Sequence, residues 1–276
     1  MKDEFPQLIY CSITGFGQTG PYADRPGYDF MIQGMGGLMS ITGERDDLPG
    51  GGPQKAGVAV TDIITGMYAS VAILAAIQER HHSGLGQHLD IALLDCHISM
   101  LANQNLNFMT SGQAPKRAGN AHQNVVPYQV FKTSDGFMIV AVGNDSQFRS
   151  YCNALGIPEY GTDPKYATNR ARIVNRGELI PFLEKIMETG ERDVWIAKLE
   201  AVGVPCGPIQ TIDQVFAHPQ VIARDIWKNI PHPAAGTAPT TASPMRFSET
   251  PIQYKRSAPM LGEHTDEILK EILGRS

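Results

Sequence analysis

A glycine-rich segment near the N-terminus constrains this chain most, because its spacing fits a dinucleotide-binding fingerprint while its context does not. Gly15, Gly17 and Gly20 match G-x-G-x-x-G and follow the apolar run Leu8–Ile13, which is typical of a buried strand. That fingerprint needs a helix that opens within the glycines, so that a pyrophosphate meets free backbone N–H groups. Two prolines and another glycine follow instead, within residues 21–27, and they predict a loop. The sequence therefore argues against a nicotinamide-binding site.

A single carboxylate, Asp62, stands where an extended segment gives way to a helix. Apolar residues recur at helical spacing from residue 63 onward, so we predict a helix over Ile63–Arg80. An aspartate at this junction is typical of an N-cap, whose side chain accepts a hydrogen bond from the first turn. The same position also suits a nucleophile, because a helix N-terminus stabilises a carboxylate and the flanking glycines leave room for a bulky substrate. Both interpretations remain open at this point.

An ordered set of short segments resembles the class III CoA-transferase family, of the CaiB/BaiF type, which includes the formyl-CoA transferases and the acyl-CoA racemases. The matching segments are Gly15–Tyr22, Arg25–Asp29, Gly36–Met39, Asp62, Gly86–Asp95, Gly119–His122, Pro127–Phe131, Asp135–Gly136, Gly203–Ile209 and Leu261–Thr265. The resemblance implies an α/β fold, with part of a Rossmann-like large domain, a small α+β domain and an interlocked homodimer.

The resemblance and the hydrophobic periodicity together predict three segments. Residues 1–110 form the large-domain part with the catalytic aspartate, residues 118–205 form the small α+β domain, and residues 206–276 return to the large domain. The family begins with a Rossmann-like half-domain that makes many CoA contacts, and the sequence lacks it. We therefore expect a truncated gene product, a fragment, or one subunit of a split enzyme, weakly folded alone.

Within these segments, several elements have clear local signals. The predicted elements are a helix over Leu93–Met109, a hairpin of Tyr128–Thr133 and Phe137–Val142 about an Asp-Gly turn, helices over Gly177–Glu188 and Asp193–Val202, short strands near Ile226–Ile230 and Met245–Phe247, and a linker over His232–Pro244.

The resemblance also implies a reaction, the movement of CoA between an acyl-CoA and a carboxylic acid. In the family, the aspartate matched by Asp62 forms an anhydride with the acyl group and then a thioester with CoA. A racemase of the same family is an alternative, but its histidine base is replaced here by Tyr28. A phenol with a pKa of about 10 is a poor base at neutral pH, although Tyr28 is also compatible with a half-buried structural aromatic. A catalytically inactive fragment or partner subunit is the other alternative.

Further residues are predicted to contact substrate or CoA because of their places in the matching segments. They are Gly17, Gln18, Arg25, Tyr28, Gly119, Asn120 and His122. The loop at Gly119 corresponds to the glycine-rich lid of the formyl-CoA transferases. It carries one glycine followed by polar side chains, so a polar turn before a strand is the alternative interpretation.

Composition limits the remaining function classes. A net charge of −5 argues against a nucleic-acid partner. The longest apolar run, Met67–Ile77, is too short to span a membrane. The four cysteines are scattered and form no C-x-x-C pair, which predicts thiols in a reducing cytoplasm, and the histidines show no metal-ligand spacing. We expect no metal and no cofactor, with CoA and acyl-CoA as substrates.

Overall fold

A computed structural model describes residues 3–274 of the chain. The chain divides into two compact units, the first ending at Gly207 and the second beginning at Pro208. Helices and strands are present in both units, so the mixed α/β composition expected from the sequence is confirmed. The division into three segments stays a prediction.

The order of elements along the chain is as follows. The first unit holds β1 (Tyr10–Thr14), α1 (Asp29–Met35), α2 (Leu38–Ile41), α3 (Val60–Ser83), β2 (His88–Ala92), α4 (Leu93–Met100), α5 (Asn103–Ser111), β3 (Tyr128–Thr133), β4 (Gly136–Ala141), α6 (Asp145–Leu155), α7 (Pro158–Thr162), α8 (Asn169–Val174), α9 (Arg176–Met187) and α10 (Arg192–Glu200), and β5 (Cys206–Pro208) reaches the boundary. The second unit holds α11 (Ile212–Ala217), α12 (Pro219–Ala223), β6 (Trp227–His232), β7 (Gly236–Thr241) and α13 (Thr265–Glu271).

Strands β1 and β2 pair in parallel, with Tyr10 opposite His88 and Thr14 opposite Ala92. Parallel neighbours need a crossover connection, and helix α3 lies within it. Parallel sheets are usually covered on both faces, but Tyr10 is 48% exposed and Ile13 is 53% exposed. The apolar run that predicted a buried strand thus forms a strand that is half open to solvent in this chain.

Helix α3 connects β1 and β2, and its C-terminal end contacts the segment that precedes β1. A short link joins the end of α3 to β2. In this link, the Gly86 N–H donates to the carbonyl of Pro6, which precedes β1 in the chain, at 2.8 Å. Arg80, in the last turn, donates to the carbonyl of Gln7 at 3.1 Å. The C-terminus of α3 therefore lies at the amino edge of the sheet, and its N-terminus points to the carboxyl edge.

Helix α3 is also more apolar than the sequence run suggested. Within residues 3–274 it is the one helix long and apolar enough to cross a membrane, with 24 residues and a mean hydropathy of 1.8 over its most apolar stretch. The run Met67–Ile77 therefore understated the length of this segment. Core helices of soluble proteins meet the same criterion.

The larger hydrophobic core of the first unit lies around a three-stranded sheet in the order β3–β4–β5. The hairpin pairs Tyr128 with Ala141 and Thr133 with Gly136, which confirms the predicted Asp-Gly turn. The side chains that are fully buried in this core include Phe131, Met138, Phe148, Tyr151, Leu179, Leu183, Met187 and Leu199. Helices α9 and α10 confirm the two helices predicted here, within one or two residues at each end.

Three predicted elements are wrong. The helix expected over Leu93–Met109 is broken, because Ala102 takes a positive φ of 46° between α4 and α5. In the second unit, the expected linker His232–Pro244 contains strand β7, which pairs with β6 across a turn at residues 233–235. The expected strand at Met245–Phe247 is absent from the described residues. Proline is tolerated in an edge strand, so the proline-rich composition misled the prediction.

Candidate functional site

Asp62 lies in the first turn of α3. The helix begins at Val60 and its N-cap is Ala59, so Asp62 is the third helical residue. The N-cap interpretation is therefore wrong. The side chain is exposed, and it has no hydrogen-bond or ion-pair partner among residues 3–274. A carboxylate at this position is stabilised by the positive end of the helix dipole and is left open to a reaction partner.

The cap of α3 comes from another helix. Asp29, in the first turn of α1, accepts a hydrogen bond of 2.8 Å through Oδ1 from the backbone N–H of Thr61. Gln33, one turn later in α1, is fully buried and donates through Nε2 to Asp29 Oδ2 at 2.7 Å. The Gln33 Oε1 atom accepts from the N–H of Ala56 at 2.8 Å. One face of α1 therefore holds both the N-terminus of α3 and the segment that leads into it.

A buried polar pair lies on the inner side of the same helix end. The Thr61 hydroxyl is 2.7 Å from His97 Nδ1, and both residues are fully buried. Burial lowers the pKa of His97 from its usual value near 6.5, although the charge of Asp29 opposes the shift. The His97 Nε2 atom is buried without a partner among the described residues. His97 is therefore a neutral, packed group that fixes Thr61.

Gly36 is needed for this packing. A Cβ atom at Gly36 would collide with the His97 ring, so the close approach of α1 and α4 depends on the missing side chain. Sequence reasoning included Gly36 and Asp29 in the matching segments but gave neither a role. The available signal for the cap was the spacing of Asp29 and Gln33, which lie four residues apart on one face of α1.

The first glycine loop lies at the carboxyl edge of the two-stranded sheet. Gly17 has a φ of +92° and donates its N–H to Thr14 Oγ1 at 2.9 Å. The Gln18 N–H donates to Asp90 Oδ2 on β2 at 3.0 Å. Ligands of α/β folds bind outside the carboxyl ends of strands, and the N-terminus of α3 points to this edge. Gly17 and Gln18 therefore lie at the edge of the sheet toward which the helix end carrying Asp62 points.

Arg25 and Tyr28 lie on the surface between this loop and α1. The Arg25 guanidinium is 4.3 Å from the centre of the Tyr22 ring, an exposed cation–π contact. Tyr28 is the N-cap residue of α1 and is 76% exposed. The interpretation of Tyr28 as a half-buried aromatic is therefore wrong.

The remaining predicted residues form a separate loop. Gly119 has a φ of +58° and donates its N–H to Gly43 at 3.1 Å, and a Cβ there would lie 2.8 Å from Glu44 Oε1. His122 Nδ1 accepts from the Asn124 N–H at 3.0 Å, which leaves it turned toward its own loop. Asn120 lines a cavity of about 500 Å³. No hydrogen bond joins this loop to Asp62 within the described part of the chain.

Metal-ligating clusters are absent from the described range. Among residues 3–274, no group of three or more His, Cys, Asp or Glu side chains is placed to hold a metal ion.

Comparisons with known proteins give this geometry a context. The family model described as CoA-transferase family III matches residues 1–265. The chain is 50% identical to a succinate–glutarate CoA-transferase of Agrobacterium fabrum over 268 residues, which is 97% of this chain and 66% of that protein. It is 41% identical to the human succinyl-CoA:glutarate CoA-transferase, covering 97% of this chain and 60% of that protein. The chain thus spans less than two thirds of the length of these relatives.

Solved structures agree with the fold. A CaiB/BaiF family protein from Brucella suis superposes with a TM-score of 0.80 at 48% identity, covering 98% of this chain and 69% of that one. A Mycobacterium tuberculosis protein, solved in an orthorhombic form, superposes with a TM-score of 0.81 at 24% identity, covering 96% and 70% respectively. These likenesses confirm the predicted α/β fold.

Proposed function

The chain belongs to CoA-transferase family III, and we propose that it moves CoA between an acyl-CoA and a carboxylic acid with Asp62 as the covalent nucleophile. One observation carries the proposal: Asp62 is an exposed carboxylate with no partner among the described residues, in the first turn of a helix whose N-terminus is capped by a different carboxylate, Asp29. The cap and the nucleophile are separate groups, so Asp62 is not needed to hold the helix end.

The proposed reaction exchanges acyl partners without a net proton transfer. A carboxylate oxygen of Asp62 attacks the thioester carbonyl carbon, the C–S bond breaks, and CoA leaves as a thiolate. The thiolate attacks the Asp62 carbonyl carbon of the resulting anhydride, which releases the donor acid and leaves a thioester on Asp62. The acceptor carboxylate then attacks that thioester, and the released thiolate attacks the acceptor carbonyl of the second anhydride. The products are a new acyl-CoA and free Asp62.

Water must be kept from the anhydride and thioester intermediates. Asp62 is exposed in this chain, and its neighbours Ile63 and Met67 are exposed apolar side chains on the same helix. We propose that a second protomer of an interlocked homodimer covers this helix end in a cytoplasmic enzyme. CoA and acyl-CoA serve as substrates, with no further cofactor.

The names of the relatives suggest the acid substrates. They are described as acting on succinate and glutarate or on succinyl-CoA and glutarate, and we propose that this chain accepts dicarboxylates of the same kind. The residue in place of the racemases' histidine is Tyr28, which is 76% exposed and gives no support to the racemase alternative.

The test compares two aspartates at equivalent helix positions. Asp95 is the third residue of α4 and is exposed, as Asp62 is in α3. With succinyl-CoA and glutarate, Asp62→Asn should abolish glutaryl-CoA formation, whereas Asp95→Asn should leave it close to the parent rate. Retained turnover in Asp62→Asn would refute the proposed mechanism.

A further inference from the structure

A second cavity in the first unit, of about 310 Å³, is lined by four cationic side chains. They are Arg45, Lys116, Arg117 and Arg176, and the lining is completed by Ala118, Ala121 and Gln123. The described residues that line it include no Asp or Glu. Like charges that share a cavity repel one another, and this chain carries a net charge of −5. The cluster is therefore a local feature that the overall composition does not explain.

The carboxylates that pair with these cations lie outside the cavity. Arg45 makes a two-pronged contact with Asp47, at 2.9 and 2.6 Å, and both side chains are exposed. Arg117 pairs with the exposed Asp46 and donates through Nη1 to the Ser40 carbonyl at 3.2 Å. Exposed ion pairs are screened by water and contribute little. The pair of Arg45 with Asp47 therefore offsets little of the positive charge at the cavity.

Two guanidinium nitrogens at this cavity have no partner. Arg117 Nε and Arg176 Nε are both buried and make no hydrogen bond within the described part of the chain, and the Arg117 side chain is only 11% exposed. A buried donor on a charged group is costly when it is left unsatisfied. Because both arginines also line the cavity, their positive charge favours a ligand with acceptor oxygens there.

Arg176 connects the cavity to the loop that begins at Gly119, which the sequence predicted to contact substrate or CoA. Its Nη2 atom donates to the carbonyls of His122 and Gln123, at 2.5 and 3.3 Å. Burial, and then the charge of Arg45, lower the pKa of Arg176 below its usual value. The positive charges of Arg45 and Arg176 therefore act on each other at this cavity.

The neighbouring cavity of about 500 Å³ shares Arg45 and Arg176. It adds the apolar side chains of Leu48, Val130, Phe137 and Ile180, and also two carboxylates, Glu44 and Glu184. An anionic group is therefore favoured at the arginine end, while methylene groups are favoured along the apolar wall.

We propose that the cluster of Arg45, Lys116, Arg117 and Arg176 binds the non-reacting carboxylate of the dicarboxylate substrate, an assignment that rests on the proposed function. Arginine binds a carboxylate through two parallel N–H donors, and the charge strengthens these bonds. Phosphate oxygens of CoA have the same acceptor chemistry, so the experiment must separate the two sources. A kinetic arm tests whether the site serves the reaction at Asp62.

The binding arm uses calorimetry on the purified full chain. Glutarate is compared with pentanoate, which has the same chain length and lacks one carboxylate, and CoA is compared with dephospho-CoA. The variant is Arg45→Gln with Lys116→Gln, because both side chains are exposed at the rim. The matched control is Arg170→Gln with Lys185→Gln, which removes the same charge from exposed positions outside the cavity. Equal unfolding midpoints establish that both variants fold.

We expect glutarate to bind about tenfold more tightly than pentanoate, and we expect the cavity variant, but not the control, to lose that difference. In turnover, the cavity variant should raise KM for glutarate about tenfold or more, with a smaller change in kcat. Equal binding of glutarate and pentanoate, or equal losses in both variants, would overturn the assignment. A preference for CoA over dephospho-CoA that disappears in the cavity variant would overturn the carboxylate source in favour of phosphate.

The two proposals fail in different ways. If Asp62→Asn abolishes turnover and the cavity variant leaves KM for glutarate unchanged, the proposed function is supported and the proposed anion site is refuted. If the parent chain transfers no CoA but binds glutarate through Arg45 and Lys116, the proposed anion site is supported and the proposed function is refuted.

Discussion

Asp29 and Thr61 are joined by a hydrogen bond of 2.8 Å between a carboxylate on α1 and the backbone N–H at the start of α3. Ala59, the N-cap of α3, has no side chain that can accept such a bond. The helix end that carries Asp62 is therefore held by a residue thirty-two positions earlier in the chain. This contact fixes the backbone from which the Asp62 side chain projects, and positioning of that kind favours a covalent nucleophile.

Removing this cap should weaken both the fold and the reaction. Asp29→Ala should lower the free energy of unfolding by about 1–3 kcal/mol, because it removes the cap and the shorter of the two hydrogen bonds that the buried Gln33 amide donates. It should also lower kcat. Asp24→Ala, in the exposed loop before α1, is the control and should change stability by less than about 0.5 kcal/mol. Urea unfolding and steady-state rates measure both effects, and equal losses in the two variants would contradict the role of Asp29.

His97 should make stability sensitive to acid. Its pKa is lowered in the folded chain, so the unfolded chain takes up the proton more readily. The stabilisation that neutral His97 contributes is present above the usual histidine pKa of about 6.5. It is lost as the pH falls below 6.5 toward the lower pKa of His97 in the folded chain. The free energy of unfolding should therefore decrease between about pH 7 and pH 5, and less steeply in His97→Gln.

His81, on the exposed last turn of α3, supplies the control for that titration. His81→Gln should keep the pH dependence of the parent chain. If His97→Gln and His81→Gln have the same pH profile, His97 is not the titrating group.

Two glycines should respond to alanine in opposite directions. Gly36→Ala drives a Cβ into the His97 ring and should destabilise the chain by about 1–3 kcal/mol. Gly66, within α3, has nothing within 4 Å of an added Cβ. Gly66→Ala should stabilise the helix by about 0.5–1 kcal/mol. Thermal unfolding of both variants checks the packing of α1 against α4, and a neutral Gly36→Ala would show that this contact is loose.

The type of reaction can be checked by isotope exchange. A racemase removes the α-proton of its acyl-CoA, whereas the transfer steps proposed at Asp62 involve no such proton. Turnover in deuterated water should therefore leave the α-carbon of recovered succinyl-CoA unlabelled, as measured by NMR. Rapid deuterium uptake that depends on Tyr28 or Asp62 would move the assignment to the racemases.

Local signals allowed much of the first unit to be predicted. The turn at Asp135–Gly136 needs only its own residues and the alternating strands beside it, and the prolines after Gly20 exclude a helix without help from the rest of the chain. The break at Ala102 gave no such signal, because apolar spacing continues through it and only the packed structure requires its positive φ.

The candidate site was predictable only in part. Asp62 was predicted from its place in a matching segment near the start of a helix, but the Asp29 cap depends on a contact between two distant elements. The cationic cavity was missed for the same reason, since Arg45, Arg117 and Arg176 come from separate segments and no spacing along the chain joins them. Long-range packing decides both features.

The most direct test of the account is to trap the covalent intermediate on Asp62. The full chain is incubated with succinyl-CoA, treated with hydroxylamine and digested, and the peptide that contains Asp62 is analysed by mass spectrometry. The account predicts a hydroxamate on Asp62 that forms only when the acyl-CoA is present, and that is absent from Asp62→Asn but retained in Asp95→Asn. Turnover of succinyl-CoA and glutarate with no hydroxamate on Asp62, or with the label on another residue, would contradict it.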